Sequence, residues 1–403
     1  MESQRNNQEH SPTVFRRTFL KDVLICSLGA YGGPETHISV FLNQMVQKKG
    51  YLSEEELIEL LALNGMLPGP TSTQTIVSIG YKVGGRLLAL LTLLVWALPV
   101  ITLMTLASFL YTFLDRRGLS AGVLRFIGPM AVGFIIYAAA RIGRKVVFDK
   151  TTAALFLLSV VVTFFFRQPW MFPLVLLFGG ATTASLNKEK GMWNSVPLRP
   201  PWRFFLLFAV LALGALILAA ISEARPIQLF ENFYRYGYLV FGGGQVVVPI
   251  MQSELVELRN YMTNQEFLTG YGLVQGLPGP MFSFAAYAGG MASRGAGTAG
   301  QILGAAIGGI GIFLPGILLI YFVYPVWEEL KGIRAVRLAL KGINAVAGGL
   351  IAVSIIVLAS STGLSFLNIG VMLATAAMLF FTKVPAPLIV LAAILGGILV
   401  PVL

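Results

Sequence analysis

Cysteine and histidine are nearly missing from this chain of 403 residues. A single cysteine, Cys26, excludes an intramolecular disulfide and a cysteine-based metal site. Two histidines, His10 and His37, are too few for a cluster, so no metal and no cofactor is expected. Charge is scarce too. Asp, Glu, Lys and Arg make up 12% of residues, against ~25% in an ordinary soluble domain. A soluble fold of this size could not cover its surface with so few charges. Residues 1–18 form a polar tail with no apolar core and no small-residue cleavage site, unlike a signal peptide. There is no Walker sequence, no dinucleotide-binding context and no acid–histidine–nucleophile set. Neither an enzyme nor a nucleic-acid partner is expected.

What is abundant is apolar: 56% of residues are hydrophobic and mean hydropathy is +0.78. The expected class is an all-α polytopic membrane protein in a lipid bilayer. A spanning helix needs about 20 apolar residues. Leu87 to Leu114, Gln168 to Asn187, Phe204 to Ser222, Gly295 to Trp327 and Val384 to Leu403 meet or approach that length. Gly342 to Thr382 is long enough for two helices, with a turn near Ser360-Ser361-Thr362-Gly363. Weaker candidates are Leu20 to Val40, Val123 to Ala140, Thr151 to Phe166 and Leu229 to Met251. About ten to thirteen segments result on the length criterion. A polar linker, 187–203, separates an N-terminal repeat (19–186) from a C-terminal one (204–403), which opens with a linking helix at 204–222.

Basic residues outnumber acidic ones, 29 to 18, a net charge of +11. Arg5, Arg16, Arg17 and Lys21 before the first span favour a cytoplasmic N-terminus in the cell membrane. Further on the rule conflicts. Arg116, Arg117 and Arg125 precede one candidate span, and Arg141, Arg144, Lys145 and Lys150 follow it.

The two parts repeat each other. Leu67-Pro68-Gly69-Pro70 recurs as Leu277-Pro278-Gly279-Pro280, an offset of 210. The same offset carries Tyr31-Gly32-Gly33 onto Phe241-Gly242-Gly243, Tyr51 onto Tyr261 and Glu56 onto Glu266. Ser53-Glu54-Glu55-Glu56 reads as a capping box opening a helix, and Thr263-Asn264-Gln265-Glu266 repeats it. Each helix should stop at Pro-Gly-Pro, and a half-helix should begin at Thr71 or Met281. Apolar segments broken at matching places in two halves are the signature of secondary transporters. A half-helix N-terminus offers free N–H groups and a positive dipole end to an anion. Thr71, Ser72, Thr73 and Gln74 add hydroxyls and an amide there, whereas Met281-Phe282-Ser283 is more apolar. The first half should therefore make more polar contacts. If the Pro-Gly-Pro regions cross the membrane the halves take one relative orientation, and if they re-enter, another; parallel and inverted halves both fit the residues.

These motifs resemble the chromate transporter family. They are Tyr31-Gly32-Gly33-Pro34 with His37, the run from Leu67 to Gln74, Gly80-Tyr81, Phe241-Gly242-Gly243-Gly244 with Pro249, and Gln275 to Pro280 followed by Phe284-Ala285-Ala286-Tyr287. The chain is similar to a long, two-domain member. It departs from the family pattern at Glu35 and Tyr31. The resemblance implies export of chromate, with sulfate as its structural analogue. On this reading the substrate site comprises Gly32, Gly33, Pro68, Gly69, Pro70, Thr71, Ser72, Thr73, Gln74, Gly243, Gly244, Pro278, Gly279, Pro280 and Ser283. Glu35 and His37, ionisable residues in an apolar stretch, are candidates for proton coupling. Lys82, Arg86 and Arg141 are candidates for attracting the anion or for anchoring helices at the interface. Another oxyanion or a small organic acid is the alternative cargo, and a homodimer is a further expectation.

Overall fold

A computed structural model describes residues 12–186, 199–241, 244–327 and 334–400, and every regular element in them is a helix. The first helix, α1 (Pro12–Gly29), runs into Gly32 and Gly33, whose φ angles of 79° and 100° suit glycine and reverse the chain. Helix α2 (Pro34–Phe41) leaves this break with proline in its first turn. It widens into a π-helical stretch, Leu42–Lys48. Gln44 Nε2 donates to Asp22 Oδ1 at 2.9 Å, and the Phe19 ring stands edge-on to Tyr51. The returning arm therefore lies antiparallel to α1, and the two form a hairpin with Gly-Gly at its tip.

A second hairpin follows. Helix α3 (Glu54–Met66) opens with the expected capping box between Ser53 and Glu56. After Pro-Gly-Pro comes α4 (Thr71–Arg116), in which Gly84 and Gly85 leave helical geometry, Gly85 with φ of 72°. The arms 71–83 and 86–116 fold back on each other, because Trp96 Nε1 reaches Thr73 Oγ1 and Gly80 faces Thr92. Asn64 meets Ser78, and Lys82 meets Glu56, so α3 and the first arm of α4 are antiparallel. The 13 residues of α3 reach roughly 20 Å, short of the ~30 Å hydrocarbon core. This hairpin re-enters and does not cross.

Helices α5 (Ser120–Val123), α6 (Ile127–Val146), α7 (Lys150–Phe165) and α8 (Met171–Leu186) complete the first half. Helix α9 (Trp202–Ile221) links the halves and is exposed along nearly its whole length, as a lipid-facing span should be. The second half repeats the grammar. Helix α10 (Arg225–Leu239) leads to a Gly-rich break, α11 (Val247–Gln252) and a π-helical stretch, Ser253–Leu258. Helix α12 (Asn264–Gln275) carries the Thr263–Glu266 capping box. Then come a 3-10 turn (Met281–Ser283), α13 (Phe284–Ser293), a reversal at Gly297 with φ of 75°, and α14 (Gly297–Val323). Helices α15 (Arg334–Ser361), α16 (Phe366–Phe381) and α17 (Ala386–Leu399) close the chain.

The halves are inverted. Tyr321 near the end of α14 donates to the Arg86 carbonyl, where the second arm of α4 begins. Gln301 near the start of α14 bonds Ser108, toward the other end of that arm. The two long helices are antiparallel, so the hairpins of each half enter from opposite faces. Five long helical segments lie between the hairpins of the two halves (the long arm of α4, α6, α7, α8 and α9), an odd number, which is compatible with inversion. Among the described residues four helical segments are long and apolar enough to cross a membrane, in α4, α9, α13–α14 and α15, and α7, α8, α16 and α17 are shorter apolar helices. Leu20 to Val40 turns back at Gly32 and Gly33, and Leu229 to Met251 is divided between α10 and α11, so they count as broken segments and not as spans. Helix α6 separates the two basic clusters that conflict over topology: Arg125 precedes it and Arg144 lies in its last turn.

The halves also interlock. Helix α15 packs on α6, α7 and α8, and α6 packs on α16. Thr183 Oγ1 donates to the Leu338 carbonyl at 2.7 Å, and Ser159 Oγ to that of Val346 at 2.9 Å. Small residues such as Gly179 and Gly342 bring these backbones into contact, the usual device of helix packing in lipid.

Candidate functional site

All four hairpin tips converge. The Gly69 amide donates to the Val240 carbonyl at 2.7 Å, and the Gly279 amide donates to the Ala30 carbonyl at 2.7 Å. The 210-residue offset carries one bond onto the other. Each Pro-Gly-Pro tip is thus tied to a backbone carbonyl of the opposite half, that of Val240 or of Ala30.

Local chemistry explains why this sequence makes such a tip. Gly69 has φ of 126°, and a Cβ there would lie 2.7 Å from Gln74 Nε2. That same amide donates to the Pro68 carbonyl at 2.8 Å and staples the loop to the half-helix it precedes. Pro70 occupies the N-cap of α4 and provides no side-chain cap. The first intrahelical amide bond is Gln74 N–H to Pro70 O, so Thr71, Ser72 and Thr73 point N–H groups out of the helix end.

A polar knot surrounds that end. His37 Nδ1 lies 3.0 Å from Ser72 Oγ, joining the two hairpins of the first half. Trp96 Nε1 donates to Thr73 Oγ1 at 3.1 Å, and its ring stands edge-on to His37 at 5.4 Å. Ser27 Oγ donates to the Trp96 carbonyl at 2.8 Å. His37, Ser72, Thr73, Gln74 and Ser27 are all buried. His37 Nε2 and Gln74 Oε1 have no hydrogen-bond partner in the protein. Buried polar atoms are seldom left so, and these two offer a donor or acceptor to a guest. In the second half Ser283 stands where Thr73 does, also buried and unpartnered, and Phe282 replaces Ser72. The first half is the more polar, as the sequence implies.

The tips enclose little space. A cavity of about 10 Å³ lies between Pro70, Thr73, Gln74, Phe313 and Gly316. That is room for about one water.

Several candidates lie elsewhere. Lys82 pairs with Glu56 at 2.7 Å at the base of its hairpin, more than ten residues from the tip. The Arg86 guanidinium lies over the Phe204 ring, and Arg141 donates to Tyr137 Oη near the end of α6. Pro278, Gly279 and Pro280 form the second tip, and Gly244 begins a 3-10 turn that packs on α11 and α15. Gly243 and the side chain of Glu35 lie outside the described residues. Sequence reasoning overlooked Ser27 and Trp96. Both sit in apolar runs, and only the fold shows that they face a tip.

A family model described as "Chromate transporter" matches residues 18–184 and 227–398, one stretch in each half. The "Chromate transport protein" of Pseudomonas aeruginosa is 29% identical over 96% of this chain and 92% of its own. That of Cupriavidus metallidurans is 24% identical over 96% and 94%. The "Uncharacterized transporter YwrB" of Bacillus subtilis is 27% identical over 41% of this chain but 89% of its own, about one repeat long. No solved structure matches the chain.

Proposed function

Because the chain belongs to the chromate transporter family, we propose that it is a secondary transporter exporting chromate or a sulfate-like oxyanion across the cell membrane, and so confers chromate resistance. The observation that carries this reading is the crossed pair of tip bonds, Gly69 to Val240 and Gly279 to Ala30. They bring four irregular backbone segments to one buried point, the arrangement membrane carriers use for a bound solute. The free amides of Thr71, Ser72 and Thr73, with the Ser72 and Thr73 hydroxyls and His37, suit a tetrahedral dianion. The tip groups supply donors without a lysine or arginine, so the anion is held by dipoles and released readily.

Alternating access follows from parting one half's tips from the other's. With the N-terminus cytoplasmic, an inside-negative potential favours outward movement of a dianion by about 4.6 kcal/mol per 100 mV. Export then needs no other energy source, and a proton moving inward would add to the drive. The test is flux of labelled chromate and sulfate in proteoliposomes, with potential and pH gradient imposed separately. Chromate efflux that rises with inside-negative potential and is competed by sulfate is expected. Flux of a small organic acid, with none of either oxyanion, would overturn the reading.

A further inference from the structure

The second half holds a buried charge cluster that plays no part in the tips. On α10, Arg235 Nε donates to Glu231 Oε1 at 2.6 Å and Nη2 to Glu231 Oε2 at 3.1 Å. The same Nη2 lies 2.8 Å from both oxygens of Glu254, at the start of the π-helical stretch, and 3.2 Å from Asn232 Oδ1. Tyr236 Oη donates to Glu254 Oε2 at 2.9 Å. The Glu231 and Glu254 side chains are 7% and 3% exposed.

Two features mark this as more than a structural ion pair. The first is a count of hydrogens. Nη2 has two, yet four oxygens crowd it. The acceptors outnumber the donors, and Asn232 Nδ2, fully buried in the same cluster, has no partner. The second is the comparison with the first half. The 210-residue offset carries Asp22 onto Asn232 and Gln44 onto Glu254. There, Asp22 accepts from Gln44 Nε2 and Tyr51 Oη and has Lys49 Nζ at 3.4 Å, one anion to one cation. The second half sets two anions against one cation. An uncompensated buried charge is costly, and inside a membrane protein it marks a functional group by default.

We propose that the Glu231–Arg235–Glu254 cluster binds the proton that exchanges against the exported anion. The proton adds to a carboxylate oxygen of the Glu231–Glu254 pair, which then carries one negative charge, matched by Arg235; no other bond changes. Release restores the second charge. The pair joins the two arms of the hairpin whose tip contains Val240, the acceptor of the Gly69 amide. Loading and unloading therefore act on the arm that bears the contact between halves. Tyr236 and Tyr238 face the cluster from α10 itself. Glu257, paired with Arg167 at 3.2 Å, is its neighbour on the π-helical stretch. The helices packed on α10 bring few titratable groups: Tyr287 on α13, Tyr321 at the far end of α14, Arg203 at the far end of α9, and none on α11.

This inference rests on the transport reading, so its test has one readout that does not need chromate. Infrared difference spectra of the full-length protein on acidification report a protonated carboxyl band. That band is expected in the wild type and lost in Glu231→Gln and Glu254→Gln. In proteoliposomes with a trapped pH dye, a chromate gradient is expected to move protons through the wild type. The two Gln variants lose that movement yet continue to exchange labelled for unlabelled chromate, and Glu231→Asp restores it. Proton movement at the wild-type ratio in both Gln variants, or sodium in place of protons, overturns the proposal. A carboxyl band without chromate flux in the wild type overturns the transport reading and leaves the proton site standing.

Discussion

The Gly69 amide and the Val240 carbonyl, 2.7 Å apart, join two halves of the chain that enter the membrane from opposite faces. The bond ends on backbone at both partners, so no side-chain substitution removes it directly. It is reached instead through the geometry of the loop.

Gly69→Ala places a Cβ at φ of 126° and 2.7 Å from Gln74 Nε2. Backbone strain of this kind costs about 1–3 kcal/mol. The variant is expected to reach the membrane and to lose chromate flux. Gly279→Ala, whose Cβ would meet Val100 Cγ2 at 2.7 Å, should behave alike. Cellular resistance, membrane abundance and proteoliposome flux check both.

Trp96→Phe keeps the ring packing and removes the donor to Thr73 Oγ1. A single lost hydrogen bond is worth about 1 kcal/mol. Thermal stability in detergent should fall slightly, while the KM for chromate rises, because Thr73 turns at the tip. Thr71→Val and Pro68→Ala, which alter the same helix end, should abolish resistance at equal expression.

Gly289, Gly304 and Gly308 lie where α13 meets α14, and a Cβ at any of them would run into backbone oxygen of the facing helix. Gly304→Val is therefore expected to cost more than the ~1–3 kcal/mol of ordinary overpacking. Loss of the monodisperse species on size exclusion measures this. Gly214→Val on α9, where nothing lies within 4 Å, is the control that should leave it intact.

Outside the membrane, the Glu56 carboxyl is held below its usual range, chiefly by Lys82 and then by the Ser53 amide. A depressed carboxyl stabilises the fold above its ordinary value of 4.5 and loses that stabilisation as pH falls through the folded value. The pair is largely exposed, so the effect is small. Thermal midpoints should drop below pH 4.5 in the wild type and drop less in Lys82→Met, whose baseline is already lower.

The parts legible in the sequence act over a few residues. Ser53 and Thr263 cap, Pro-Gly-Pro breaks, and a 210-residue register aligns the halves. The turn after Ser361 falls where the Ser-Ser-Thr-Gly sequence puts it. Inversion was not legible, because it depends on whether arms of 13 residues cross or return. Only their packing decides that. Gly84-Gly85 likewise reads as part of an apolar stretch until Trp96 is seen folded back on Thr73. The bonds of Gly69 and Gly279 join residues far apart in sequence, and no local pattern encodes them. The excess acid at Glu231 and Glu254 has no local pattern for the same reason: the two meet across a hairpin.

The interlocked packing of α6 and α15 bears on how the chain is made. Helix α6 finds its partner α16, and α7 and α8 find α15, only after the second half has been inserted. Until then the first half stands in the bilayer with the Ala30 carbonyl awaiting the Gly279 amide and the packing faces of α6, α7 and α8 awaiting helices not yet synthesised, while the Ser159 and Thr183 hydroxyls keep their bonds to carbonyls of their own helices. A ribosome stalled after α9 would thus release a threaded but unassembled protein, one that quality-control proteases should recognise by those unpacked faces.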